Sequence, residues 1–223
     1  MKKKACVIQF LGSNCDDEAV RSLENVGFET KKIFYKDNID INQKFDLIFI
    51  PGGFSYGDYL RTGAMAANSS IMNDVSRFAN KGVFVVGICN GFQILTESKL
   101  LDGALIKNKS SNFVCKNIYI KKSDYSSKFF KTLPEVSTMQ IAHGEGQYFN
   151  TPDNLKKLQD ENKIAFYYCD SNGEKTQDSN INGSINSIAG IYGGINKNII
   201  GLMPHPERMF LNGISNKFFE SFL

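Results

Sequence analysis

Apolar residues along this chain come in short blocks separated by polar, glycine-bearing turns. The first block, Ala5-Cys6-Val7-Ile8-Gln9-Phe10, reads as a strand over 5–10. After a turn, Ala19, Val20, Leu23 and Val26 recur at helical spacing, which predicts a helix near 15–26. Ser13 or Asn14 is the expected cap, Asp16, Asp17 and Glu18 suit the first turn, and Gly27 is the expected stop. Strands follow over 29–35 and 45–50. A helix near 69–80 carries Ile71, Val75 and Phe78, with Gly82 beyond its end. A β-branched strand over 83–88 then runs directly into another helix. Strand–helix alternation at this spacing implies a parallel sheet covered on both faces. From about residue 113 the pattern changes to strands without long helices: 113–121, 138–142, 164–169, 187–192 and 198–203. Antiparallel pairing is expected there. The stretch 170–186 reads as a loop, and a short helix over 217–222 closes the chain. The expected class is α/β, a mostly parallel sheet flanked by helices with an added antiparallel section, in a single domain over 1–223.

The junction between the strand over 83–88 and its helix carries the first candidate chemistry. Gly87-Ile88-Cys89-Asn90-Gly91 places a cysteine at the apex of a tight strand–turn–helix. This is the cysteine form of the G-x-S-x-G nucleophile elbow, whose crowded, strained turn calls for glycine on either side. The apex side chain is expected to project into solvent above the sheet. The adjoining helix N-terminus favours a negative sulfur there. The alternative for such a residue is an inert, buried small apolar side chain.

A cysteine nucleophile needs a base, and the chain has two histidines. His205 lies in Met203-Pro204-His205-Pro206-Glu207, after an apolar strand, with a carboxylate two residues on. His143 has the same spacing in His143-Gly144-Glu145, so spacing alone does not choose between them. The prolines around His205 favour a fixed base, whereas the glycines around His143 suggest a flexible loop that closes over substrate or meets a partner. A third element is Pro51-Gly52-Gly53-Phe54, directly after a strand. Paired glycines there, expected to be flexible, allow backbone N–H groups to approach a ligand. Gly53 and Asn90 are the candidate oxyanion donors. Gln93, one helical turn past Cys89, is a candidate substrate contact.

The combination resembles the class I (triad) glutamine amidotransferases, and more narrowly their glutaminase subunits that serve purine biosynthesis. The resemblance runs along nearly the whole chain. It is carried by Gly12-Ser13-Asn14-Cys15-Asp16, by Pro51-Gly52-Gly53-Phe54-Ser55-Tyr56-Gly57-Asp58-Tyr59-Leu60-Arg61 and by Gly87-Ile88-Cys89-Asn90-Gly91-Phe92-Gln93-Ile94-Leu95. Further matches are Ala142-His143-Gly144-Glu145-Gly146, Asn182-Gly183-Ser184, Ile188-Ala189-Gly190-Ile191 and Met203-Pro204-His205-Pro206-Glu207-Arg208. One departure is Ile181, where the family usually has proline; it should alter a loop.

The resemblance implies a flavodoxin-like amidotransferase fold and a triad of Cys89, His205 as base and Glu207 as its orienter. It implies L-glutamine hydrolysis through a Cys89 thioester. The ammonia would pass to a separate synthetase subunit that converts formylglycinamide ribonucleotide to formylglycinamidine ribonucleotide, alongside a small third subunit. No cofactor or metal is expected on this chain, and no Walker A sequence occurs in it, so ATP and Mg are expected on the synthetase. Ser55, Asp58 and Arg61 are candidate partner contacts, and His143 a candidate substrate contact. The alternatives are the glutaminase subunit of another amidotransferase and a stand-alone γ-glutamyl cysteine hydrolase.

Composition changes little. A net charge of +3 is spread along the chain and does not point to nucleic acid. The basic start, Met1-Lys2-Lys3-Lys4, precedes an apolar run too short and polar for a signal peptide. No segment approaches the roughly 18 apolar residues of a membrane span. Five scattered cysteines, without metal-ligand spacing, suit a reducing cytoplasm.

Overall fold

The computed structural model describes residues 2–40 and 42–223; Met1, in the basic start, lies outside them. The strands are β1 (Lys4–Gln9), β2 (Glu29–Phe34), β3 (Leu47–Ile50), β4 (Phe84–Ile88), β5 (Ala104–Ile106), β6 (Val114–Lys122), β7 (Val136–His143), β8 (Gln147–Phe149), β9 (Ile164–Cys169), β10 (Ile188–Gly193) and β11 (Ile199–Leu202). The helices are α1 (Asp16–Asn25), α2 (Ala64–Ala67), α3 (Ile71–Asn80), α4 (Asn90–Glu97), α5 (Asp124–Phe129), α6 (Pro152–Asp160) and α7 (Ile214–Phe219).

Nine strands form one sheet in the order β2-β1-β3-β4-β11-β10-β9-β6-β7. From β2 to β11 neighbouring strands are parallel. From β11 onward they pair antiparallel. The expected class is therefore the observed one. Strands β3 and β11 are buried at every position, as a sheet covered on both faces requires. Packing on α1 buries Ala19 and Leu23 against that sheet, and α3 buries Ile71, Val75 and Phe78. The antiparallel half curls so that the free edge of β7 returns to the parallel half. There Gln140 and His205 form an isolated bridge.

Several local expectations are corrected. Neither Ser13 nor Asn14 caps α1: Cys15 occupies the cap position and no side chain bonds the helix end. The Ser13 hydroxyl instead accepts from the Phe10 N–H at 3.1 Å. The second half does contain helices. Ser123 caps α5, and Thr151 caps α6 with Pro152 in its first turn. The closing helix begins earlier than expected, and its 3₁₀ extension covers Glu220–Phe222. At the position where the family usually has proline, the Ile181 N–H donates to the Ser179 carbonyl at 3.0 Å, a bond proline cannot make. Among the described residues no helix is long and apolar enough to cross a membrane.

Candidate active site

Three loops at the carboxyl ends of parallel strands converge, where ligands bind in open α/β sheets. β4 delivers Cys89, β3 delivers Gly52 and Gly53, and β11 delivers His205. Cys89 stands alone between strand and helix with φ 52 and ψ −106, a conformation that costs energy for a side-chain-bearing residue. The flanking glycines make the turn sterically feasible. A Cβ on Gly87 would sit 2.6 Å from the Gly91 carbonyl oxygen, and one on Gly91 would overlap the Ile50 carbonyl.

Contrary to expectation, Cys89 does not project into solvent; it is 4% exposed, beneath the end of β7. Its thiol donates to the Ala142 carbonyl across 3.7 Å. His205 is also buried. Its Nδ1 meets Glu207 Oε1 at 2.6 Å, and its backbone N–H donates to the Gln140 carbonyl at 2.8 Å. Burial alone would lower the His205 imidazole. The Glu207 carboxylate, helped by Cys89 and Cys15, instead holds it well above its usual value. Glu207 is fully buried, and its backbone carbonyl accepts from the Ser22 hydroxyl at 3.2 Å.

Gly52 makes this convergence feasible. A Cβ there would lie 2.7 Å from His205 Cε1, 3.2 Å from Cys15 Sγ and 3.4 Å from Cys89 Cβ. The glycine loop is pinned rather than flexible: Gly52 accepts from the Cys15 N–H at 3.3 Å, and the Phe54 N–H donates to Gly12 at 3.0 Å. Gly53, at φ 141, packs on the Gly12–Asn14 backbone, where no side chain would fit. Neither the Gly53 nor the Asn90 N–H finds an acceptor among the described residues, so both remain available as donors.

The remaining candidates divide between the interior and the surface. The Gln93 side chain is buried and committed: it accepts from Asn90 Nδ2 at 2.9 Å and donates to the Glu145 carbonyl at 2.6 Å. Asn90 Oδ1 accepts from the Ser55 N–H at 3.1 Å, and Thr62 Oγ1 donates to Glu145 Oε2 at 2.5 Å. One hydrogen-bonded chain thus joins the 55–62 loop, the elbow helix and the 143–146 turn. Ser55 is buried, which removes its side chain from any partner-facing surface. Asp58 is half-buried, and burial followed by the nearby Glu145 carboxylate raises its carboxyl to about 6. Arg61 pairs with Glu97 at 2.7 Å on the surface. The loop exposes Tyr59 and Leu60, at 71% and 86%. His143 is not on a flexible loop. It ends β7, is buried, and binds Asn108.

Sequence reasoning missed Cys15 as a neighbour of this site. It is buried, and Arg208 Nη2 donates to its sulfur at 3.0 Å while Arg208 Nε holds Glu18 at 3.1 Å. Burial raises the Cys15 thiol, against the opposing pull of His205. Ligand atoms of Cys15, His205 and Glu207 lie within 4.8 Å of one another. The contacts of Cys15 with Arg208 and of His205 with Glu207 already occupy this set. Asn108 and Asn182 were missed as well. Asn182 supports the 143–146 turn by donating to the Gly146 carbonyl at 2.7 Å.

Residues 2–221 match the CobB/CobQ-like glutamine amidotransferase domain family. The phosphoribosylformylglycinamidine synthase subunit PurQ of Pseudothermotoga lettingae is 50% identical over 225 residues, covering 98% of this chain and 94% of that protein. The PurQ subunit of Pelagibacter ubique is 46% identical over 212 residues, covering 95% and 92%. Among solved structures, the PurLQS structure from Thermotoga maritima aligns with a TM-score of 0.83 at 38% identity, covering all of this chain and 98% of that one. The chain belongs to the CobB/CobQ-like glutamine amidotransferase family and, within it, to the PurQ group.

Proposed function

We propose that this chain is the glutaminase subunit of a phosphoribosylformylglycinamidine synthase, hydrolysing L-glutamine at Cys89 and supplying ammonia to a PurL-type synthetase. The observation that carries the reading is the strained, buried Cys89 packed with an ion-paired His205–Glu207 around Gly52. The Cys89 sulfur attacks the side-chain carboxamide of glutamine once its proton has passed to His205, whose charged form the Glu207 carboxylate favours. Gly53 and Asn90 N–H groups receive the oxyanion, each worth about 3 kcal/mol in sites of this type. His205 then returns the proton to the departing nitrogen, and water hydrolyses the γ-glutamyl thioester. Glu207 keeps the imidazole oriented and charged through the transfer.

The synthetase uses the ammonia to convert formylglycinamide ribonucleotide to formylglycinamidine ribonucleotide. ATP and Mg belong to that partner, and a small PurS-type subunit completes the assembly. The exposed Tyr59 and Leu60 form the partner-facing part of the 55–61 loop. The chain of hydrogen bonds from Ser55 through Asn90 and Gln93 to Glu145 links that loop to the elbow. The test is to mix the purified chain with PurL-type and PurS-type subunits and follow glutamate release and trapped thioester. The reading expects an acyl group on Cys89 and faster turnover in the mixture. Acylation elsewhere, or full turnover unchanged by the partners, overturns it.

A further inference from the structure

The second histidine is held in one defined tautomer. Asn108 Nδ2 donates to the carbonyls of Asn112 at 2.9 Å and His143 at 2.8 Å, which fixes the amide orientation. Its Oδ1 accepts from the Gly146 N–H at 3.0 Å and faces His143 Nδ1, also at 3.0 Å. An amide oxygen cannot donate, so Nδ1 carries the proton and Nε2 is left with a bare lone pair. That atom is buried, His143 being 3% exposed, and it has no partner among the described residues. Burial, followed by repulsion from His205, lowers this imidazole to about 4, so the lone pair stays unprotonated at neutral pH. A buried acceptor without a donor is costly and calls for an explanation.

Its surroundings are those of the candidate site. The preceding residue, Ala142, accepts from the Cys89 thiol. Three residues earlier on the same strand, Gln140 bridges to His205. The Glu145 carbonyl binds Gln93 on the helix that Cys89 opens. The His143 ring lies over Gly146, where a Cβ would overlap Cε1 and Nδ1 and come within 2.6 Å of Nε2, so only glycine lets the ring take this place.

We propose that His143 Nε2 accepts a hydrogen bond from the nitrogen of the substrate carboxamide, and then from the ammonia that nitrogen becomes. The inference rests on the glutaminase reading above. When the tetrahedral intermediate collapses, the C–N bond breaks and the C–S bond stays. The nitrogen's electron pair takes the proton held by His205, and NH3 departs. His143 gives no proton in this step, because its only N–H is engaged by Asn108. The nitrogen therefore leaves neutral, with the lone pair that a subsequent amination requires. The two histidines divide the work: His205 moves the proton and His143 orients the atom that receives it.

The test compares L-glutamine with the γ-methyl ester of L-glutamate, which keeps the α-ammonium group but lacks the amide N–H. Measured in the presence of the synthetase, His143→Ala should lower kcat/KM for glutamine by about tenfold or more, the scale of one lost hydrogen bond. Ester hydrolysis should change by less than about threefold, and His143→Gln, which restores an acceptor, should recover part of the loss. Equal losses on both substrates would instead assign His143 to the α-ammonium group or to structure alone, and overturn the proposal. A variant that fails to fold leaves a second measurement, ¹⁵N NMR of the histidine-labelled Cys89→Ser protein, with only two histidines to resolve. An unprotonated Nε2 on His143 that shifts with glutamine and not with the ester is expected. A protonated Nε2, or one indifferent to glutamine, overturns the proposal. Failure of the glutaminase reading itself looks different: the unaltered chain would form no thioester on Cys89 with either substrate.

Discussion

Gly52→Ala adds one carbon where three side chains of the site meet. The new Cβ would stand 2.7 Å from His205 Cε1. Carbon atoms settle at about 3.5–4.0 Å, so the ring must retreat by roughly 1 Å. Gly52 is not among the glycines with positive φ, so alanine carries no left-handed backbone penalty and the effect falls on the side chains it meets, His205 most severely. His205 has little room to yield: it is 1% exposed, its ring is held by Glu207 through Nδ1, and its backbone N–H is held by the Gln140 carbonyl. A misplacement of about 1 Å at a reacting group costs on the order of 10²-fold in rate. Overpacking by one methyl costs about 1–3 kcal/mol of stability, or roughly 2–10 °C in Tm for a chain of this size. The assay is single-turnover thioester formation with the synthetase present, beside a thermal melt. Acylation should slow by about two orders of magnitude while the protein still melts cooperatively. Gly144→Ala is the control, since its Cβ would meet nothing closer than Phe113 Cδ2 at 3.8 Å. A Gly52→Ala protein with undiminished acylation would refute the reasoning, because the base would then not depend on the position this glycine permits.

His205→Ala should lower kcat and kcat/KM together by about 10³ or more, and Glu207→Gln should cost less because the imidazole remains; the reverse ranking in steady-state kinetics contradicts the triad. A glutamine-analogue electrophile should label Cys89 and spare Cys15, whose thiol burial raises and Arg208 covers; peptide mapping that finds Cys15 modified first argues against the assignment. The Asp58 carboxyl is raised to about 6 by burial and by Glu145, so its contribution to stability is present at acid pH and lost as pH rises through that value. Asp58→Asn should therefore raise Tm more at about pH 8 than at about pH 5, and equal gains at both would remove Asp58 as the source.

The parallel half of the fold was legible because each element carried its own period and its own stop. The elbow glycines, the paired glycines after β3 and the prolines around His205 marked all three loops that build the site. Helix α6 was legible too, in the Thr151-Pro152 start that went unread among the surrounding strands. Cys15, Asn108 and the Ala142 carbonyl were not legible. Each enters the site through a partner 35 or more residues away in sequence. The depth of Cys89 escaped because an elbow predicts an exposed apex, whereas the end of β7, 53 residues away, returns to cover it.

The position of β11 has a consequence for how the molecule assembles. It is the last strand along the chain, yet it lies in the interior of the nine-stranded sheet, between β4 and β10. Until it inserts, β4 and β10 both present open backbone edges, and more than a hundred residues separate β11 from the parallel strand it must find. Such long-range pairing is slow, and open edges are where nascent chains stick to one another. The same strand carries His205 and Glu207 at its exit, so the proposed base cannot reach Cys89 before the sheet closes. Catalytic competence and the loss of the aggregation-prone edges should therefore appear in one kinetic step, making glutaminase activity during refolding a direct clock for completion of the sheet.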